Sequence, residues 1–218
     1  MKHFKTIIIL GKPGAGKGTQ AELLAKETGF RHIATGDILR ERIKRQDPLG
    51  IKIKKLINEG KFVSDNIVLT VTFEAIKKAY KEGEERVILD GIPRNFSQGE
   101  AIDGFLKGEN CELPLVINIA ISGHEAIFRL TNRKTCSKCQ KTIPFSKETA
   151  KLKKCPKCHA KLVIRPDDSE EIVKKRLLIY EEDTAPLIDY YKNKGILKEV
   201  DGERPIEKIC KDILSLVS

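Results

Sequence analysis

The stretch Gly11-Lys12-Pro13-Gly14-Ala15-Gly16-Lys17-Gly18-Thr19 has the residue types needed to hold phosphate groups. Its glycines let backbone N–H groups turn inward, a following helix adds the positive end of its dipole, and Lys17 supplies a full charge. The stretch therefore predicts a site for a nucleoside triphosphate. Two more segments carry residues suited to the same anion. In His32-Ile33-Ala34-Thr35-Gly36-Asp37, a glycine turn enters a helix that bears Arg40. In Arg86-Val87-Ile88-Leu89-Asp90-Gly91-Ile92-Pro93-Arg94, an apolar strand ends in an acid, with Gln98 four residues beyond Arg94. An aspartate at such a strand end holds magnesium in proteins with this loop, and Gln98 is placed to read a base edge. Arg165 and Arg176 add two cations further along.

A second chemistry is written in cysteine. Cys136-Ser-Lys-Cys139 and Cys155-Pro-Lys-Cys158 are separated by fifteen residues. Two such knuckles match a fully coordinated, structural four-cysteine zinc site. His159 is adjacent, but Cys158 has the better spacing. A segment this polar cannot fold on its own apolar burial, so metal binding is expected to supply its folding energy. Cys111 and Cys210 stand alone and are expected to be ordinary buried thiols.

These residues must be held by a scaffold, and the pattern of the chain describes one. Apolar runs predict strands at 6–10, 30–33, 86–90, 115–121 and 196–200. Helical periodicity predicts helices near 17–28, 37–46, 49–58, 66–82, 97–107, 122–133, 169–193 and 205–217. Ser122 with Glu125 reads as a capping box, and Pro205 suits a first helical turn. Alternating strands and helices favour an α/β fold with a parallel sheet covered on both faces. The alternation breaks only across the cysteine segment.

The net charge is +10, yet residues 129–165 hold twelve Lys/Arg and one acid, and the remainder is −1. A local polyanion contact fits that distribution better than a basic domain. No signal-peptide core or membrane-length apolar run is present, so a cytoplasmic protein with no membrane partner is expected.

Taken together, these stretches resemble the adenylate kinases in their long form, with a zinc-bearing lid. The carrying segments are Gly11–Gln20, with glycine rather than Ser or Thr directly after Lys17, His32–Arg40, Leu89–Gln98, Arg129–Arg133, the four lid cysteines, Arg165–Arg176, Thr184–Tyr191 and Val200–Gly202. The resemblance implies a P-loop parallel-sheet core from 1–34, 65–131 and 169–218, an NMP-binding helical insertion at 35–64, and a four-cysteine zinc-ribbon lid at 132–168. It implies reversible Mg2+-dependent phosphoryl transfer from ATP to AMP, giving two ADP, with structural Zn2+ and a monomeric state.

By motif match, Gly11, Gly14, Ala15, Gly16, Lys17, Gly18 and Thr19 would wrap the donor phosphates. Arg129, Arg133, Thr142, Ile143 and Arg204 would meet the rest of ATP. Thr35, Gly36, Arg40, Lys61, Phe62, Val63, Gly91, Ile92, Pro93, Arg94, Gln98, Arg165 and Arg176 would hold AMP. Lys17, Arg94, Arg133, Arg165 and Arg176 would be catalytic, and Asp90 would position Mg2+ through water. Lys12, Ile92, Asn132 and Ile143 depart from the family's usual residues, the last two bearing on the lid hinge and on donor choice. Rival readings are a GTP-AMP phosphotransferase or a UMP/CMP kinase, and a nucleic-acid module on a P-loop ATPase. The intact cysteines oppose the first, Gln98 the second. Against the third, Phe145 is the sole aromatic of the basic segment, so no stacking platform for bases is expected.

Overall fold

The computed structural model describes residues 4–58, 63–139, 141–145, 147–165 and 168–217. Five parallel strands form the central sheet: β1 (Lys5–Leu10), β2 (Arg31–Ala34), β3 (Arg86–Asp90), β4 (Leu115–Ala120) and β8 (Leu197–Asp201), in the order β2-β3-β1-β4-β8. Because helices cover both faces, the central strands β1, β3 and β4 carry continuous buried runs rather than alternating, while the edge strands β2 and β8 are more polar and more exposed. Along β1, Ile7 and Ile9 pack on one face, with Ala21 and Leu24 of α1 (Lys17–Thr28) and Ile209 and Ile213 of α10 (Ile206–Val217). Ile8 and Leu10 pack on the other. Their neighbours there are Ile76 of α4 (Asp65–Lys81), Ile102 and Leu106 of α5 (Phe96–Gly108), and Leu187 and Tyr191 of α9 (Pro186–Asn193).

Two excursions leave this core. The helices α2 (Thr35–Arg45) and α3 (Pro48–Asn58) pack against each other after β2. After α6 (Gly123–Thr131), a small antiparallel sheet follows, with β5 (Lys134–Cys136) between β6 (Thr142–Ile143) and β7 (Leu162–Val163). One short helix, α7 (Lys147–Ala150), lies between β6 and β7. The lid has its own small core of Cys136, Ile143, Cys155 and Leu162. No described helix is long and apolar enough to cross a membrane.

Three local expectations are corrected. The helix expected over 169–193 is α8 (Glu170–Ile179), a π-helical segment at Tyr180–Thr184, then α9 beginning at Pro186. A proline has no N–H to give, so α9 starts afresh there. The capping box is half formed: Ser122 Oγ accepts from the Glu125 N–H at 3.2 Å, but Glu125 turns to Arg129. Glu203 Oε1 takes the Ser122 N–H instead, at 2.7 Å. The helix expected over 37–46 starts two residues earlier, at Thr35, and the Thr35 hydroxyl meets that of Thr72 of α4 at 3.2 Å.

Candidate active site

The predicted residues gather at the carboxyl ends of β1, β2 and β3, where the neighbours of β1 diverge and open sheets bind ligands. The loop after β1 needs its glycines. Gly11 has φ +142° and sits so close to β4 that an added Cβ would stand 2.5 Å from the Ile119 carbonyl oxygen. Gly16, at φ 87°, leads into α1. Ala15 is buried beneath the loop, while Lys17, Gly18 and Thr19 are half-buried. Lys17 Nζ donates to the carbonyls of Gly11 (2.6 Å) and Lys12 (2.9 Å), so the ammonium is held across the mouth of its own loop. Lys12, the departure from the usual residue, pairs with Glu181 at 3.0 Å.

Asp90 ends β3 beside this loop: a Cβ on Gly18 would come within 3.2 Å of its Oδ2. His32 Nε2 lies 3.3 Å from the same oxygen. Beyond Asp90 the chain turns at Gly91 (φ 84°), buries Ile92 in the core and passes through a cis Ile92–Pro93 bond. Arg94 Nε donates back to the Gly91 carbonyl at 2.9 Å, and its backbone N–H donates to Gln98 Oε1 at 2.8 Å. Across from it, Gly36 lies against the Arg40 guanidinium, which pairs with Asp37.

The arginines arrive from other elements. Arg133 follows α6 and Arg176 lies on α8; both reach Asp168, whose side chain is fully buried. Arg133 donates from Nε (2.9 Å) and Nη2 (2.6 Å), and Arg176 from Nη1 at 3.4 Å. Their fields meet at Lys17. Burial lowers its pKa from 10.5 to about 8, with Asp90 opposing and Arg94, Arg176 and Arg133 assisting. Although Arg94 is exposed to solvent, the crowding of protein around it, with Arg176 and Arg40, lowers its pKa, against Asp90. Such crowding of like charge is costly unless an anion answers it, so the cleft is built for a polyphosphate.

The cysteine cluster suits zinc. The four sulfurs lie within 4.8 Å of one another, with Cys136 and Cys158 at 3.4 Å and Cys139 and Cys155 at 3.7 Å. A tetrahedral site with Zn–S bonds of about 2.3 Å places its sulfurs about 3.8 Å apart, close to what is seen. The backbone N–H groups of Lys138 and Cys139 point at Cys136 Sγ, each at 3.4 Å. Burial works against a thiolate there, but these donors and the neighbouring thiols outweigh it and bring its pKa down to about 6. His159 is exposed with φ 58°, and its N–H closes the second knuckle on the Cys155 carbonyl at 2.9 Å. Of the two lone thiols, Cys210 is buried while Cys111 is half-buried, 3.4 Å from the Tyr80 hydroxyl.

Other predicted residues stand apart from the cluster. Arg165 is held in the lid by the hydroxyls of Thr135 (3.0 Å) and Thr142 (3.2 Å). Arg129 pairs with Glu125 at 2.6 Å, and Arg204 with Asp212 at 2.6 Å. Ile143 is buried in the lid core, 5% exposed. Asn132 caps α6, its side-chain N–H reaching the Phe128 carbonyl at 2.8 Å. Val63 is half-buried; Lys61 and Phe62 lie outside the described residues.

Sequence reasoning assigned no role to His32, Asp65, Thr72, Asn95 or Asp168, each of which fastens a site residue or its supporting turn. Only Asp168 left a signal, as a carboxylate close to Arg165 in a strongly basic stretch.

Comparison with known proteins agrees with this geometry. The adenylate kinase family model matches residues 9–196. An adenylate kinase of Archaeoglobus fulgidus is 40% identical over 212 residues, 97% of each chain. That of Carboxydothermus hydrogenoformans is 42% identical over 208 residues, 95% of this chain and 96% of the relative. That of Thermotoga maritima is 41% identical over 213 residues, 97% of this chain and 96% of the relative. The chain belongs to the adenylate kinase family and is an enzyme of the nucleoside monophosphate kinase type.

Proposed function

We propose that the cleft transfers the γ-phosphoryl group of ATP to AMP, reversibly, giving two ADP. The observation that carries this reading is that Arg94, Arg133 and Arg176 gather around Lys17, with Asp90 beside Lys17 and Arg94 and with Arg133 and Arg176 sharing Asp168. Phosphoryl transfer needs little covalent work from a protein. It needs donor and acceptor in line, charge neutralised on the equatorial oxygens, and water kept out.

In this reading the backbone from Gly11 through Thr19 wraps the donor phosphates and Lys17 meets their oxygens. Thr35, Gly36, Arg40, the Lys61–Val63 backbone, Gly91–Arg94 and Gln98 take AMP. Arg133 and Arg176 lie over the transferring group. Arg129, Thr142, Ile143 and Arg204 border the donor base and ribose. Asp90 would position Mg2+ through water, and the ion would add charge neutralisation at the donor phosphates when bound.

Arg165 belongs to the lid, so in this scheme it joins the cluster when residues 132–168 close over the nucleotides. Closure would also keep water from intercepting the phosphoryl group. The cysteine knuckles would hold Zn2+ and keep the lid rigid enough to move as one piece. The core, insertion and lid boundaries proposed above follow this division of labour. A monomeric, cytoplasmic enzyme is part of the same reading.

The test is a nucleotide panel pairing Mg-ATP or Mg-GTP with AMP, CMP, UMP or GMP, with an EDTA control, resolved by chromatography. ADP from ATP plus AMP, lost with EDTA, is expected. Transfer only to another acceptor would reassign the pocket around Gln98.

A further inference from the structure

Gln98 is buried, 4% exposed, and its amide is held from both ends. The Arg94 backbone N–H donates to Oε1 at 2.8 Å, while Nε2 donates to Asp65 Oδ1 at 2.6 Å. The other oxygen of Asp65 accepts from Asn95 Nδ2 at 2.8 Å. Asn95 has no freedom to turn, because its Oδ1 caps α5 by accepting the Gln98 N–H at 2.8 Å. Asp65 therefore meets two amide donors with one oxygen each, an arrangement suited to a carboxylate, which accepts at both positions and carries no hydrogen to set against either donor.

We propose that Asp65 is a specificity-determining residue, fixing the Gln98 amide in the one orientation that favours a 6-aminopurine acceptor over a 6-oxopurine. The inference rests on the reading above that Gln98 meets the acceptor base. Among the described residues, the amide retains one Oε1 lone pair and one Nε2 hydrogen. Adenine offers a matching N6–H donor and N1 acceptor. Hypoxanthine offers the reverse, an O6 acceptor and an N1–H donor. To serve hypoxanthine the amide must flip, placing NH2 against the Arg94 N–H and C=O against the Asp65 carboxylate. Both contacts are repulsive in a buried site, where unmatched polar groups are costly.

Asp65→Asn keeps the shape and removes one acceptor. Because the two donors sit on different oxygens, the new NH2 must replace the acceptor facing either Asn95 or Gln98, and facing Gln98 it favours the flipped amide. The experiment measures kcat/KM for AMP and IMP, with Mg-ATP as donor, in wild type, Asp65→Asn, Asp65→Asn/Asn95→Ser and Gln98→Leu. ATP affinity and thermal melting serve as readouts of an intact fold.

The AMP-over-IMP preference is expected to fall by about tenfold or more in Asp65→Asn, the scale of one mismatched hydrogen bond. The double variant is expected to recover it. There the introduced serine hydroxyl still caps α5 but no longer competes for the oxygen. Simple loss of structure would not be rescued by a second substitution. An unchanged preference in Asp65→Asn, or equal losses for both acceptors, would overturn the role of Asp65 if Gln98→Leu abolishes the preference. An unchanged preference in Gln98→Leu would overturn the reading of Gln98 itself, and the proposal with it.

Discussion

Asp168 grips Arg133 at two points, Oδ2 to Nε at 2.9 Å and Oδ1 to Nη2 at 2.6 Å, while itself fully buried. A forked pair of this kind fixes the plane of the guanidinium as well as its position. Arg176 shares Oδ1, so one carboxylate aims two cations. Arg133→Ala and Arg94→Ala are each expected to lower kcat about 10²–10³-fold, the usual scale for a lost transition-state contact. Circular dichroism should show both folds intact. Turnover near wild type in either variant would contradict its assigned place.

Removing Asp168 is a different experiment. Asp168→Ala leaves Arg133 beside an empty, buried position, and breaking such a pair costs about 3 kcal/mol. The expected result is a lower midpoint of urea unfolding together with loss of kcat. Asp168→Asn, which keeps the shape, should lose less stability than the alanine variant.

The lowered pKa of Lys17 gives a pH signature. Its folded value is about 8 against 10.5 unfolded, so between these the unfolded chain binds more protons. Stability of the nucleotide-free protein from this group therefore rises across that window. Binding runs the other way, because the phosphates require the ammonium form. ATP affinity should fall as pH rises above about 8, approaching about tenfold per pH unit, with proton uptake on binding. Titration calorimetry at pH values above that point, in buffers of different ionisation heat, would detect the uptake. Lys17→Met should abolish it.

The glycines make a prediction by contrast. Gly11 combines φ +142° with a backbone oxygen 2.5 Å from an added Cβ, so Gly11→Ala should cost about 2 kcal/mol or more. Gly104 lies exposed within α5 with nothing near its added Cβ. There alanine should stabilise by roughly 0.5–1 kcal/mol through helix propensity alone. Urea unfolding of the two variants reads both signs.

Zinc is expected near one equivalent in protein purified without chelator. A strong chelator should unfold the lid before the core, because the lid's core is little more than Cys136, Ile143, Cys155 and Leu162. Hydrogen exchange would locate the loss. Metal-free protein with a protected lid would contradict a structural metal.

The central strands and the ligand-bearing turns were legible because their signals are local. The apolar run Ile7–Leu10, the loop glycines and the two cysteine knuckles each carry their meaning within a few residues. The lid strands were not legible, since two- and three-residue strands leave no periodicity to read. The π-helical segment at Tyr180–Thr184 was hidden for a related reason: its flanks keep the helical pattern, and only Pro186 marks the restart. Least visible were the partners that act across the fold. Asp168 meets Arg133 across 35 residues, and Asp65 meets Gln98 across 33. Asp65 looks like an ordinary surface acid, and Asp168 shows only as an acid beside a basic stretch, until tertiary packing brings their amides and cations to them.

The central claim is that the cleft moves a phosphoryl group from one nucleotide to another without releasing it to water. ATP labelled at its γ-phosphate, incubated with AMP, Mg2+ and the enzyme, tests this directly. The account predicts label at the β-phosphate of the ADP made from AMP, with little inorganic phosphate. Label recovered mainly as inorganic phosphate would mean that the arginine cluster and lid do not enclose an acceptor, and would contradict the account.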